Sequence, residues 1–273
     1  MTENIKKTVV SSWNEWDPLK HVIVGRADGT QIQAPEPAVQ LDFPDRGFPL
    51  GTFGSLPQEM EDKACELLDN FAVVLENRGI RVDRPAPLDF SQTIQTPDWQ
   101  QGTMFGCMPP RDVLLTVGNE ILEAPMSFRS RWFEYLCYRP LLEQYYKEDT
   151  NFRWETAPKP RLTGRTYKAD FWQKWNASSE DEQWKITENS NWIITEAEPL
   201  FDAADVARFG RDLFVQKSMV TNDAGIDWLR RHYPDHRVHR VTYMEMLPWH
   251  IDATLIPLRP GLVLVNPERY PLS

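Results

Sequence analysis

Four times along the chain an aspartate precedes a short apolar run that is broken by a glycine. The instances are DPLKHVIVG at 17–25, DVLLTVG at 112–118, Asp202 through Gly210 into DLFVQ at 212–216, and Asp252 through Gly261 into LVLVN at 262–266. Short β-branched runs bounded by glycine read as strands joined by turns. Recurrence of one local design suggests a radially repeated α/β unit whose strand ends converge. Several unrelated hairpins, each with an aspartate in its turn, would leave the same pattern.

Helical periodicity fills the space between strands. Ser55-Leu-Pro-Gln58 has the form of a capping box and opens a run with Met60, Ala64, Leu67, Leu68, Phe71, Val74 and Leu75 at helical spacing, stopped by Gly79 and followed by a strand from Ile80. A second helix is expected from Met126 to Tyr138, interrupted or ended by Pro140, and a third from Ala224 to His232 before Pro234. From Lys159 the chain turns polar and tryptophan-dotted. Residues 161–191 read as a surface insertion whose Trp172, Trp175 and Trp184 need something to pack against. No composition shift marks a linker, so 1–273 reads as one domain.

With 41% hydrophobic and 26% charged residues the chain is globular, and a net charge of -10 supplies no basic field for nucleic acid. No run is long and apolar enough for a membrane span, and the N-terminus lacks a signal-peptide pattern. Cys65, Cys107 and Cys137 are odd in number and widely spaced, which fits reduced thiols and a cytoplasmic setting.

Histidine is scarce. His232, His236 and His239 invite a metal reading, but Pro234 breaks their alignment and Arg231, Arg237 and Arg240 would repel a cation, so a helix end and a strand start are expected there. His21 reads as a strand residue at the core edge. His250 precedes an apolar strand with Asp252 two residues along; on extended backbone both would face one cavity. That pair is either a proton-transfer site or a capped strand start with a satisfied core histidine. Asp112, Asp202 and Asp252 at successive strand mouths would repel one another unless a cation sat among them. A metal would bring ligand spacing that is not found, whereas a planar guanidinium matches paired carboxylates.

The residues WNEWDPLKHVIVG at 13–25, PRDV at 110–113, VGNEILEAPM at 117–126, RSRWFE at 129–134, APKP at 157–160, FDAAD at 201–205, HIDAT at 250–254 and VNP at 265–267 resemble, in order, the arginine-dependent amidinotransferases. The resemblance covers nearly the whole chain. It implies an α/β pentein fold, a pseudo-fivefold propeller of ββαβ-type units around a central channel. It also implies that Asp202 orients a general acid/base His250, that Asp112 and Asp252 hold a guanidinium, and that Arg269 receives a substrate carboxylate. The implied reaction is cofactor- and metal-free: a cysteine thiolate takes the amidino group of L-arginine, ornithine leaves, and an amine acceptor collects the group.

None of Cys65, Cys107 and Cys137 matches the family's thiol motif. The chain is therefore expected to be C-terminally incomplete and inactive alone. Cys107, the cysteine closest in sequence to Asp112, reads as a buried loop thiol. Leu247 and Trp249, before His250, mark a candidate acceptor pocket too bulky for glycine, unless the tryptophan only packs beneath the strand. A homodimer is the expected assembly. The alternatives are a guanidine hydrolase of the related deiminase type and a truncated, non-catalytic relative that acts as a binding partner.

Overall fold

The structure, a computed structural model, describes residues 8–40 and 51–272. In chain order it runs through β1 (His21–Ile23), β2 (Gln31–Ile32), β3 (Gly54–Ser55), α1 (Gln58–Glu76) and β4 (Arg81–Asp83). The hairpin β5 (Ile94–Gln95) and β6 (Gln100–Gln101) leads to α2 (Pro110–Val113), β7 (Leu114–Val117), β8 (Glu120–Glu123), α3 (Arg139–Glu148) and β9 (Arg153–Thr156). Then come α4 (Phe171–Ala177), α5 (Glu180–Glu188), β10 (Val206–Phe209), β11 (Asp212–Gln216), α6 (Asp223–His232), β12 (Arg237–Val241), β13 (Leu255–Arg259) and β14 (Leu262–Val265).

The recurring sequence pattern is a recurring ββαβ unit. β7 pairs antiparallel with β8, and β8 pairs parallel with β9 across α3; β10, β11, α6 and β12 repeat that arrangement. β1 and β4 form the same parallel pair across α1, and β13 with β14 forms a further antiparallel hairpin. The hairpin glycines Gly118, Gly210 and Gly261 all have positive φ, where a side chain would be strained. Gly25 serves close approach instead: a Cβ there would lie 1.9 Å from the carbonyl oxygen of Met108. The β7–β8, β10–β11 and β13–β14 hairpins each open from a short helical turn, and these turns, α2, 203–205 and 251–253, touch one another in sequence. Asp112, Asp202 and Asp252 lie in or directly before them.

Three local expectations are corrected. Ser55 does not cap α1: it is recruited into β3 opposite Gln31, and extended Pro57 precedes the helix without a side-chain cap. The apolar stripe of α1 is largely solvent-facing at Met60, Leu67, Phe71 and Val74; Ala72 is its buried residue. Residues 126–138 are not a helix. Met126 has φ 59, two 3-10 turns follow at Arg129–Arg131 and Glu134–Cys137, and Pro140 lies in the first turn of α3, where its missing N–H costs nothing.

The tryptophan-dotted stretch forms α4 and α5, the latter with a capping box between Ser179 and Glu182. Trp172 and Trp175 are buried in the main apolar cluster together with Phe201, Leu213 and Met219. No helix among the described residues is long and apolar enough to cross a membrane.

Candidate active site

The touching turns bring one imidazole between two carboxylates. Asp202 Oδ2 lies 3.2 Å from His250 Nε2, and Asp112 Oδ1 lies 3.8 Å from His250 Nδ1. Asp202 and Asp112 are buried and His250 is partly so. The backbone at His250 has φ 54 and enters a 3-10 turn at once, so the extended geometry expected for His250 and Asp252 is not formed. Left-handed backbone at a non-glycine residue is costly and recurs at functional sites.

Burial alone would lower the imidazole's proton affinity. The hydrogen bond with Asp202 and the charges of Asp112, Asp202 and Asp205 outweigh it and push His250 up to about 9. Burial raises the carboxyl of Asp202, against the pull of His250 and Arg131. Asp205, which accepts hydrogen bonds from Ser218 Oγ at 2.6 Å and Thr221 Oγ1 at 2.5 Å, is pushed by burial up to about 7. The charged form of the imidazole is thereby favoured at neutral pH.

A second layer holds these groups. Arg131, buried at 5% exposure, donates from Nη1 to Asp112 Oδ2 at 2.8 Å and lies 3.9 Å from Asp202. Glu134 clamps the same guanidinium bidentately, from Nε at 2.7 Å and Nη2 at 3.0 Å. Burial pushes Glu134 up to about 7 despite Arg131. Reading the residues one by one does not find this pair. Its only sequence signal is an arginine and a glutamate three apart inside the stretch 129–134.

Asp112, Asp202 and His250 could each offer one atom to a metal within a 4.8 Å span. A divalent ion there would face the Arg131 guanidinium, which lies 2.8 Å from Asp112 and 3.9 Å from Asp202, so the donor set fits a metal poorly.

Most of the chain matches characterised amidinotransferases. It is 41% identical over 269 residues to the L-arginine:L-lysine amidinotransferase of Pseudomonas savastanoi pv. phaseolicola, which covers 97% of this chain and 71% of that one. The chain belongs to the amidinotransferase family. The mitochondrial glycine amidinotransferase of Xenopus tropicalis is 41% identical over 269 residues, and the chain spans 62% of its length. Among solved structures, the inosamine-phosphate amidinotransferase StrB1 of Streptomyces griseus superposes with a TM-score of 0.81 at 37% identity, covering 97% of this chain and 71% of that one. A dimethylarginine dimethylaminohydrolase of Pseudomonas aeruginosa, 13% identical with a TM-score of 0.51, shares the fold alone. No family model matches the chain.

The other residues assigned from the amidinotransferase resemblance have partners of their own. Asp252, within the 3-10 turn, pairs with Arg111 at 3.1 Å. Arg111 Nη2 is fixed by the carbonyl of Val206 at 3.0 Å. Arg269 pairs with Glu245 at 2.9 Å. Leu247 and Trp249 pack against the main core, the tryptophan edge-on to Phe128 at 5.6 Å, and the buried indole Nε1 has no hydrogen-bond partner among the described residues.

Cys107 and Cys137 are fully buried and face each other, which pushes the Cys137 thiol up; Cys65 sits partly exposed on α1. The other histidines do not converge. His232 is half-buried and meets Glu120 at 2.7 Å while stacking on Trp228, whereas His239 meets Asp212 at 2.7 Å. His21 meets Asp83 at 2.8 Å.

Proposed function

We propose that this chain binds L-arginine as amidino donor and supplies the acid–base pair that moves its amidino group to an amine acceptor. The observation that carries the reading is the 3.2 Å contact between Asp202 and His250 beside a second carboxylate, Asp112. A protonated imidazole held by one carboxylate can give its proton to the departing amine, and a neighbouring carboxylate can accept N–H groups of a guanidinium. Asp252 would complete the guanidinium site once it leaves Arg111, and Arg269 would take the substrate carboxylate.

In this chemistry a thiolate bonds to the guanidinium carbon, the C–N bond to ornithine breaks as His250 protonates the leaving nitrogen, and the acceptor amine then displaces the thiolate. Buried Cys107 and Cys137 and outlying Cys65 make poor candidates for that thiol. The relatives use glycine, lysine or an inosamine phosphate according to their names. Leu247 and Trp249, bulkier and less polar than a glycine-specific pocket would want, argue against glycine as the acceptor. The propeller arrangement of the units, a single domain over 1–273 with an insertion at 161–191, a homodimer and a cytoplasmic setting with reduced thiols belong to the same proposal.

The test is product identity, measured on the product of the full gene with isotopically labelled L-arginine. Ornithine and amidinated amine released in equal amounts, and only when an amine is present, support transfer. Citrulline as the arginine product would assign hydrolysis instead.

A further inference from the structure

The segment before the candidate acid–base histidine is stitched to the segment around Arg269. Met244 N–H donates to the Tyr270 carbonyl at 2.9 Å, and Leu272 N–H donates to the Thr242 carbonyl at 2.8 Å. Tyr243 and Pro271 face each other in an isolated bridge between them. Backbone pairing, and not the chance meeting of two long side chains, thus sets Glu245 beside Arg269, with Oε1 and Nη2 at 2.9 Å.

Both groups keep binding capacity. A guanidinium has five N–H donors, and this contact engages one of its nitrogens. Glu245 Oε2 is buried and accepts no hydrogen bond from the described residues. A buried carboxylate oxygen without a donor is unfavourable, and an ammonium group would satisfy it. Burial raises the Glu245 carboxyl, against the opposing charges of Arg269 and His250.

We infer that Glu245 and Arg269 together read an α-amino acid head group, Arg269 taking its carboxylate and the unpaired oxygen of Glu245 taking its ammonium. The assignment rests on the amidino-donor reading above and adds Glu245 to it as a specificity-determining residue. A guanidine without the α-ammonium leaves Oε2 without a donor and forfeits one charge-assisted contact.

The experiment is calorimetric binding of L-arginine, des-amino arginine and butylguanidine to the wild-type chain and to Glu245→Gln. Wild type should prefer L-arginine over des-amino arginine by about tenfold or more, the scale of one charge-assisted hydrogen bond. In Glu245→Gln that ratio should fall to about one, while butylguanidine, which lacks both head-group charges, binds as before. Glu245→Asp should restore part of the preference. A preference unchanged between wild type and Glu245→Gln overturns the assignment while leaving the donor reading standing. Failure of all three compounds to bind wild type overturns the donor reading and this assignment with it. Should Glu245→Gln not fold, the wild-type ratio decides: a value near one overturns the assignment.

Discussion

Replacing Asp202 by asparagine should lower the proton affinity of His250 while leaving the fold in place. The imidazole is raised from 6.5 to about 9 against its own burial, which corresponds to about 3 kcal/mol in favour of the charged form. Asp202 makes the direct contact, so its neutralisation should bring His250 down by about 1–2 pH units, the usual effect of one close carboxylate. The folded value lies above the unfolded one, so the stabilisation is fully present below pH 6.5 and is lost as pH rises through about 9.

The wild-type chain should therefore lose stability across that interval, and Asp202→Asn should lose less. The assay is the imidazole NMR titration, with His250 assigned through His250→Gln, combined with urea unfolding from about pH 6 to about pH 10. A folded Asp202→Asn variant whose His250 still titrates near 9 would refute the reasoning and give the shift to Asp112 or Asp205.

Arg131→Met should cost about 3–5 kcal/mol in urea unfolding, because it leaves Glu134 and Asp112 buried without their shared cation; a loss below about 1 kcal/mol would show the clamp to be dispensable. Gly25→Ala should destabilise by about 1–3 kcal/mol or block folding, since its Cβ must displace the Met108 carbonyl, and wild-type melting would contradict that contact. Asp252→Asn should weaken L-arginine binding about tenfold with the His250 titration unmoved; unchanged binding would remove Asp252 from the donor site.

The repeat was legible in the sequence because hairpin glycines and apolar strands are local signals: Gly118, Gly210 and Gly261 each turn a hairpin. The proximity of Asp112, Asp202 and His250 depends on how three units face one another, which no spacing within a unit encodes. The aspartates were visible as a set; their convergence was implied by the family resemblance. The local reading of His250 with Asp252 failed because it presumed an extended backbone where the chain makes a 3-10 turn. Around 126–138 the apolar residues mimicked a helix, but Arg131 and Glu134 turn inward to each other and to Asp112, and two 3-10 turns accommodate them. Arg131 is illegible in the sequence for the same reason: a buried arginine is recognisable only by the carboxylates brought to it from elsewhere in the chain.

The most direct test of the account is the response of the His250 imidazole to L-arginine. Addition of L-arginine to the 273-residue chain should shift the His250 ring resonances saturably and lower the pH at which they titrate, because a second cation enters between the carboxylates that hold the first. Asp112→Asn should abolish the response. Saturable binding that leaves His250 unmoved, or a response unaltered in Asp112→Asn, would contradict the placement of the arginine guanidinium at this cluster.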